Sequence, residues 1–175
     1  MRQDIQVVQN MVDVMVGIPK FSYPARQNDA PKPAEEFAHI RLLEEYPVSI
    51  PSQQILSQTV EETVYRTISA ARLRFRVGVV DSDGTASTKI LHGWTSEEMK
   101  TLMIDSGYGF IKCTPLSNED TLLEKEWEFR QGFSLELYTT RVFDETVDNI
   151  TSMKVTGEYV TPDFFSIDFE FLINN

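Results

Sequence analysis

The chain has 175 residues, 41% of them hydrophobic, which is enough to bury one substantial core and short for two independent ones. Sixteen Lys and Arg stand against 27 Asp and Glu, a formal net charge of -11. Attraction to phosphate needs a positive field, so this balance disfavours a nucleic-acid reader or a protein held on anionic membranes.

Ile5, Val8, Met11, Val12 and Met15 recur at helical spacing, and Gly17 followed by Pro19 stops the pattern, which predicts a first helix. Asp4 and Asp13 interrupt the same stretch, so neither a secretory hydrophobic region nor a membrane span is expected, and the protein should be soluble and unsecreted. From 18 to 36 the chain turns to Pro, Asn, Asp, Lys and Ala and reads as a proline-rich surface loop or arm. Residues 37–43 then read as a strand ending near Pro47, with Pro51 breaking the connection to the next.

From Glu62 to Val80 the pattern alternates, with Leu73, Phe75, Val77 and Val79 on one side and Arg72, Arg74, Arg76 and Gly78 on the other. That is a long half-buried strand. Asp81-Ser82-Asp83-Gly84 supplies a turn. Two helical pieces follow, the first with Ala86, Ile90, Leu91 and Trp94, the second with Met99, Leu102 and Met103; Gly93 lies between them. Thr95 or Ser96 caps the second piece, and Glu98, three residues after Thr95, completes a capping box. Gly107 and Gly109 close the region before a return to strand at 110–113.

A second long strand is expected from about Glu124 to Arg141, with Trp127, Phe129, Phe133, Leu135 and Leu137 on one side and Glu124, Glu126, Glu128, Arg130, Ser134 and Glu136 on the other. A partner strand follows at 150–159. Phe165, Ile167, Phe169 and Phe171 alternate with Ser166, Asp168 and Glu170 in a last strand, unusually aromatic for a terminus. Long polar-faced strands with few helices predict a single α+β domain, an antiparallel sheet with helices packed on one side.

No motif in the chain asks for catalysis. Asp81-Ser82-Asp83-Gly84 resembles the start of a calcium loop, but Thr85, Ala86 and His92 stand where such a loop needs an oxygen ligand, Gly and Glu, so it reads as a turn. His39 and His92 lack metal-ligand spacing and read as structural, and the single Cys113 can form neither an internal disulfide nor a multi-cysteine site, which fits a reducing cytoplasm. Gly107-Tyr108-Gly109 lacks the third glycine of a dinucleotide loop and reads as a helix C-terminal turn. Asn149-Ile150-Thr151 spells a glycosylation acceptor that, without a secretory signal, reads as chance. No cofactor or metal is expected.

The two charged strand faces are the most informative feature. Arg72, Arg74 and Arg76 form a basic ladder and Glu124, Glu126 and Glu128 an acidic one. Three readings stay open: both are solvated faces, the ladders pair within one subunit, or they set the register between copies in head-to-tail contact. The aromatic run around Phe165 and Phe169 would be a liability as a bare edge, so it is expected to be covered by its own sheet or added to a neighbour's, and both residues join the candidate contacts.

The order of parts carries a resemblance. A short helix, a proline-rich loop, the strand Phe37-Ala38-His39-Ile40, a long strand running into a turn and helix, and a Gly-x-Gly turn precede a segment containing Glu128, Arg130, Gln131, Phe133, Leu135 and Leu137; a strand near Val155-Thr156-Gly157 closes it. Over roughly residues 1–160 this resembles the neck or tail terminator proteins of tailed bacteriophages. Residues 161–175 extend beyond it, and the Asp-Ser-Asp-Gly turn departs from it.

The resemblance implies a structural, non-enzymatic virion protein: a six-fold ring that ends the tail tube and joins tail to head. Its implied partners are other copies of itself, the tail tube protein and a head completion or connector protein, with the sheath protein as a further candidate. DNA would pass the lumen without specific binding, and assembly would take place in the host cytoplasm. The alternatives are another neck or tube component, or a small cytoplasmic domain holding a ligand around Tyr65, Trp94 and Tyr108.

Overall fold

The structure is a computed structural model that describes residues 3–25, 36–59, 61–81, 83–123, 126–149, 152–160 and 166–174, with backbone alone at 121–123, 126–127 and from 152 onward. Helix α1 spans Gln3–Val16 and buries Val8, Met11 and Val12 completely, the stripe that the spacing predicts. Beyond it the chain does not run free. The Asp13 carboxylate accepts from the backbone N–H of Lys20 (2.9 Å) and Ser22 (2.8 Å) and from the Ser22 hydroxyl (2.7 Å), while the Gln9 amide donates to the Ser22 carbonyl. These bonds hold Ser22–Pro24 as a short strand, β1, parallel to the next one with Ser22 opposite Ala38. The expected loop thus contains a strand, and its remainder, 26–35, lies outside the described residues.

Strand β2 (Phe37–Pro47) pairs antiparallel with β4 (Glu62–Val80), and β3 (Ser52–Gln58) pairs with the earlier part of β4. Helices α2 (Thr85–Gly93) and α3 (Glu97–Ser106) follow, then β5 (Tyr108–Cys113), β6 (Ser117–Asn118), β7 (Thr121–Leu123), β8 (Glu126–Glu128), β9 (Arg130–Asp148), β10 (Ser152–Val160) and β11 (Ser166–Asn174). One seven-stranded, mostly antiparallel sheet has the central order β1-β2-β4-β9-β5, so the fold is α+β as expected.

Asp81 accepts from the backbone N–H and hydroxyl of Ser87, and Asp83 accepts from the N–H of Thr85. The calcium-like tetrapeptide therefore satisfies donors in the first turn of α2. The cap of α3 is Ser96, whose side chain accepts from Met99 N, so Glu98 is one position short of a capping box with it. Gly107 at φ +77 closes α3, its N–H bonded to the Ile104 carbonyl, a left-handed conformation that any residue with a Cβ adopts only under strain.

The second long strand departs from expectation. It breaks at Phe129, which is 54% exposed: β8 turns away to pair with β7 in a ribbon of its own, and β9 begins at Arg130 and runs on to Asp148. The strand expected at 150–159 is β10, and its partner is β11.

The contacts divide the chain into two compact units. The first, residues 1–50 and 69–141, holds the core: Leu73, Phe75, Val77 and Val79 of β4, Phe133, Leu135 and Leu137 of β9, and Ala38 and Ile40 of β2, packed against Val8, Met11, Val12, Ile90, Trp94, Met99 and Met103 of the helical layer. Trp94 stacks on Phe110 with ring planes 6° apart. The second unit, residues 51–68 and 142–175, comprises β3, the beginning of β4, the end of β9 and the β10–β11 ribbon.

Candidate assembly surface

Strand parity divides the sheet of the first unit. The odd-numbered residues of β4 and β9 face the helices, and the even-numbered ones, Arg72, Arg74, Arg76, Gly78, Ser134 and Glu136, lie on the face without helices. Across that face each arginine of β4 meets a carboxylate. Arg72 pairs with Glu136, which is 7% exposed, and its guanidinium stands 5.7 Å above the centre of the Tyr46 ring. Arg74 lies 3.7 Å from Glu44, its register partner on β2. Arg76 pairs with Glu119 and donates to the Ser117 hydroxyl at 3.0 Å. Among the described residues, Nε of Arg72, Arg74 and Arg130 is buried without a hydrogen-bond partner.

These pairs differ in strength. Glu136 is nearly buried and holds Arg72 with Lys112 3.7 Å away, so removal of the arginine leaves a carboxylate poorly solvated. Arg74 and Glu44 have side chains 40% and 56% exposed, where an ion pair contributes only about 0–1 kcal/mol. Arg74 is the ladder residue most available to another molecule.

His39 on β2 lies over Gly78 of β4, and a Cβ at that glycine would run into the imidazole. Tyr138 covers Gly109 in the same way. Burial, then the positive charges of Arg130 and Arg76, hold the His39 pKa below its ordinary value, with Glu128 opposing them. His39 is thus a neutral spacer within a charged face at neutral pH.

The acidic ladder is placed only in part. Glu124 lies outside the described residues, Glu126 stands opposite Leu123 in the β7–β8 ribbon, and Glu128, opposite Thr121, pairs with Arg130 at 2.8 Å. Phe165 lies outside the described residues, and Phe169 is opposite Gly157 on β11. The carboxylates that meet the arginines inside the chain are Glu136, Glu44 and Glu119. Glu136 was legible as a polar-face residue, whereas Glu44 and Glu119 depend on a cross-strand register and a loop path that no sequence pattern gives.

A second polar network lies on the helix side. The Tyr108 hydroxyl donates to Asp4 at 2.6 Å, and Arg141 donates to both Asp4 and Glu45 at 2.9 Å. Burial, reinforced by Asp4, raises the Tyr108 pKa far above the ordinary phenol. Trp94 is 1% exposed and Tyr108 is committed to this network, so neither offers a ligand an open wall. Burial pushes the Cys113 thiol up to about 12, which makes it a poor nucleophile at neutral pH. Among the described residues no group of three or more His, Cys, Asp and Glu could hold a metal.

What the arrangement offers chemically is ordered charge on a rigid sheet, a means of fixing register against another protein surface. The comparisons agree with an assembly role. The family described as phage neck terminator protein matches residues 5–163. No curated protein matches the chain.

Proposed function

Since the chain belongs to the phage neck terminator protein family, a structural component of the phage tail or neck, we propose that it closes into a six-membered ring that ends the tail tube and joins the tail to the head. The observation that carries this reading is the helix-free sheet face. Three arginines stand there in a row on one strand, each partly exposed although paired with a carboxylate inside the chain. Each subunit presents this face to the acidic β7–β8 region of the next, with Glu124, Glu126 and Glu128 as counterparts of Arg72, Arg74 and Arg76. Contact between two different surfaces propagates head to tail and closes when the rotation permits. Phe165 and Phe169 are further candidates for contact between copies.

The further partners are the tail tube protein on one side of the ring and a head completion or connector protein on the other, with sheath protein as an additional neighbour. DNA passes the lumen without being held, in keeping with the net charge of -11. The test is negative-stain electron microscopy of the protein alone at high concentration and mixed with tail tubes that lack a terminator. Single rings, or rings at one tube end, are expected. Long tubes made by this protein alone would reassign it as a tube subunit, and uniform small particles that ignore tube ends would sink the ring reading.

A further inference from the structure

The second unit has an apolar face that its own chain leaves open. All seven residues of β3 are exposed, and so is every residue of β9 from Val142 to Asp148. Parity sorts their side chains. Arg66 and Asp144 make a two-bond ion pair at 2.8 Å on one face. On the other, Ile55 is registered opposite Tyr65, and Phe143 and Val147 continue the parity of the buried Leu135 and Leu137. Ile55, Phe143 and Val147 nevertheless remain 57%, 62% and 42% exposed. Glu145 lies between Phe143 and Val147 at the same parity and is exposed as well, so this is an apolar patch that includes one carboxylate, and an exposed apolar patch on a sheet marks an interaction surface.

The same unit contains a segment suited to cover it. In the β10–β11 ribbon the register sets apolar residue opposite apolar residue at every second position: Met153 with Ile173, Val155 with Phe171, Tyr159 with Ile167, and Gly157 with Phe169. A two-stranded ribbon is marginal by itself in water and needs a third strand or a packed face. Its nine-residue strands are long enough to span the seven residues of β3. Both halves of an apolar contact therefore occur in every copy, while the patch stays exposed within one.

We propose that the β10–β11 ribbon of one copy packs over the Ile55–Tyr65–Phe143–Val147 face of a second copy. This rests on the assembly reading above and deepens it, because it names a contact separate from the arginine face and gives the C-terminal extension a role. The exchange places an acceptor face and a donor ribbon on every subunit, which is heterologous contact of the kind that closes a ring.

The experiment uses cysteine pairs in the full chain with Cys113→Ser. One preparation carries Phe143→Cys and another Phe169→Cys; they are mixed, assembled and mildly oxidised. Disulfides form only where Cα atoms come within about 7 Å. A disulfide-linked heterodimer on non-reducing gels, lost on reduction, is the expected result. Val147→Cys mixed with Phe171→Cys repeats the test should the first pair perturb the ribbon. If neither mixture links while a single chain carrying both cysteines closes an internal disulfide, the ribbon covers its own subunit and the proposal is overturned. Rings by microscopy without any cross-link also overturn it and leave the ring reading standing. Cross-linked pairs that never form rings would do the reverse.

Discussion

His39 illustrates how one residue serves the fold through its neighbours. The imidazole occupies the space that a side chain on Gly78 would fill, so Gly78→Ala is expected to cost about 1–3 kcal/mol by overpacking. His39→Ala in the same chain should recover much of that loss, measured by chemical denaturation. Because the folded state depresses the His39 pKa, the unfolded chain takes up the proton first. This contribution to stability is present above about pH 6.5 and is lost as pH falls through the folded value. His39→Gln should flatten that part of the stability profile. Tyr108 has the opposite sign. Its pKa is raised in the folded state, so its contribution holds below about pH 10 and fades as pH rises above it. Tyr108→Phe should remove this alkaline dependence and cost about 1–3 kcal/mol at neutral pH, since it leaves the buried Asp4 short of a donor. The sequence identified His39 as structural, but what it covers depends on the β2–β4 register.

At the scale of elements, periodicity placed α1, β2, β4, α2, α3 and β5 because each buries one regular stripe against a single core. It failed where a local contact or a break in pairing overrides the pattern. Ser22–Pro24 becomes a strand because Asp13 and Gln9 of α1 reach across to its backbone. Asp13→Ala should therefore loosen β1 while sparing the sheet centre, which would appear as faster amide exchange at Lys20 and Ser22. The residues from about Glu124 to Arg141 read as one strand because parity continues past Phe129, yet the main-sheet strand begins only at Arg130 and β8 pairs with β7. Within α1, Met11 is fully buried among the core side chains. Met11→Ala is expected to cost about 2–5 kcal/mol, depending on how far the cavity collapses, and thermal unfolding of the full chain would measure it.

For the whole molecule, the charge ladder matters through the difference between its members. Arg72→Met strands Glu136 at 7% exposure, and loss of one partner from such a pair costs up to about 3–5 kcal/mol, so its effect on assembly would be confounded with unfolding. Arg74→Gln breaks only an exposed pair and sets no second carboxylate opposite Glu44. It should leave the melting temperature nearly unchanged while weakening ring formation, read by sedimentation velocity and microscopy; rings of undiminished stability would remove the arginine face from the interface. Salt gives a second reading, because screening shortens to about 3 Å at 1 M and should weaken contacts through Arg74 while sparing those through Phe143. By itself the sequence determined the α+β class, the helix stripes, the long β4 with its arginines, and the family, since these follow from residue type and local period along the chain. Only the tertiary structure decided which carboxylate meets each arginine, where β9 begins, and which apolar positions stay uncovered, because cross-strand register and burial arise from residues far apart in sequence, whose pairing local period does not encode.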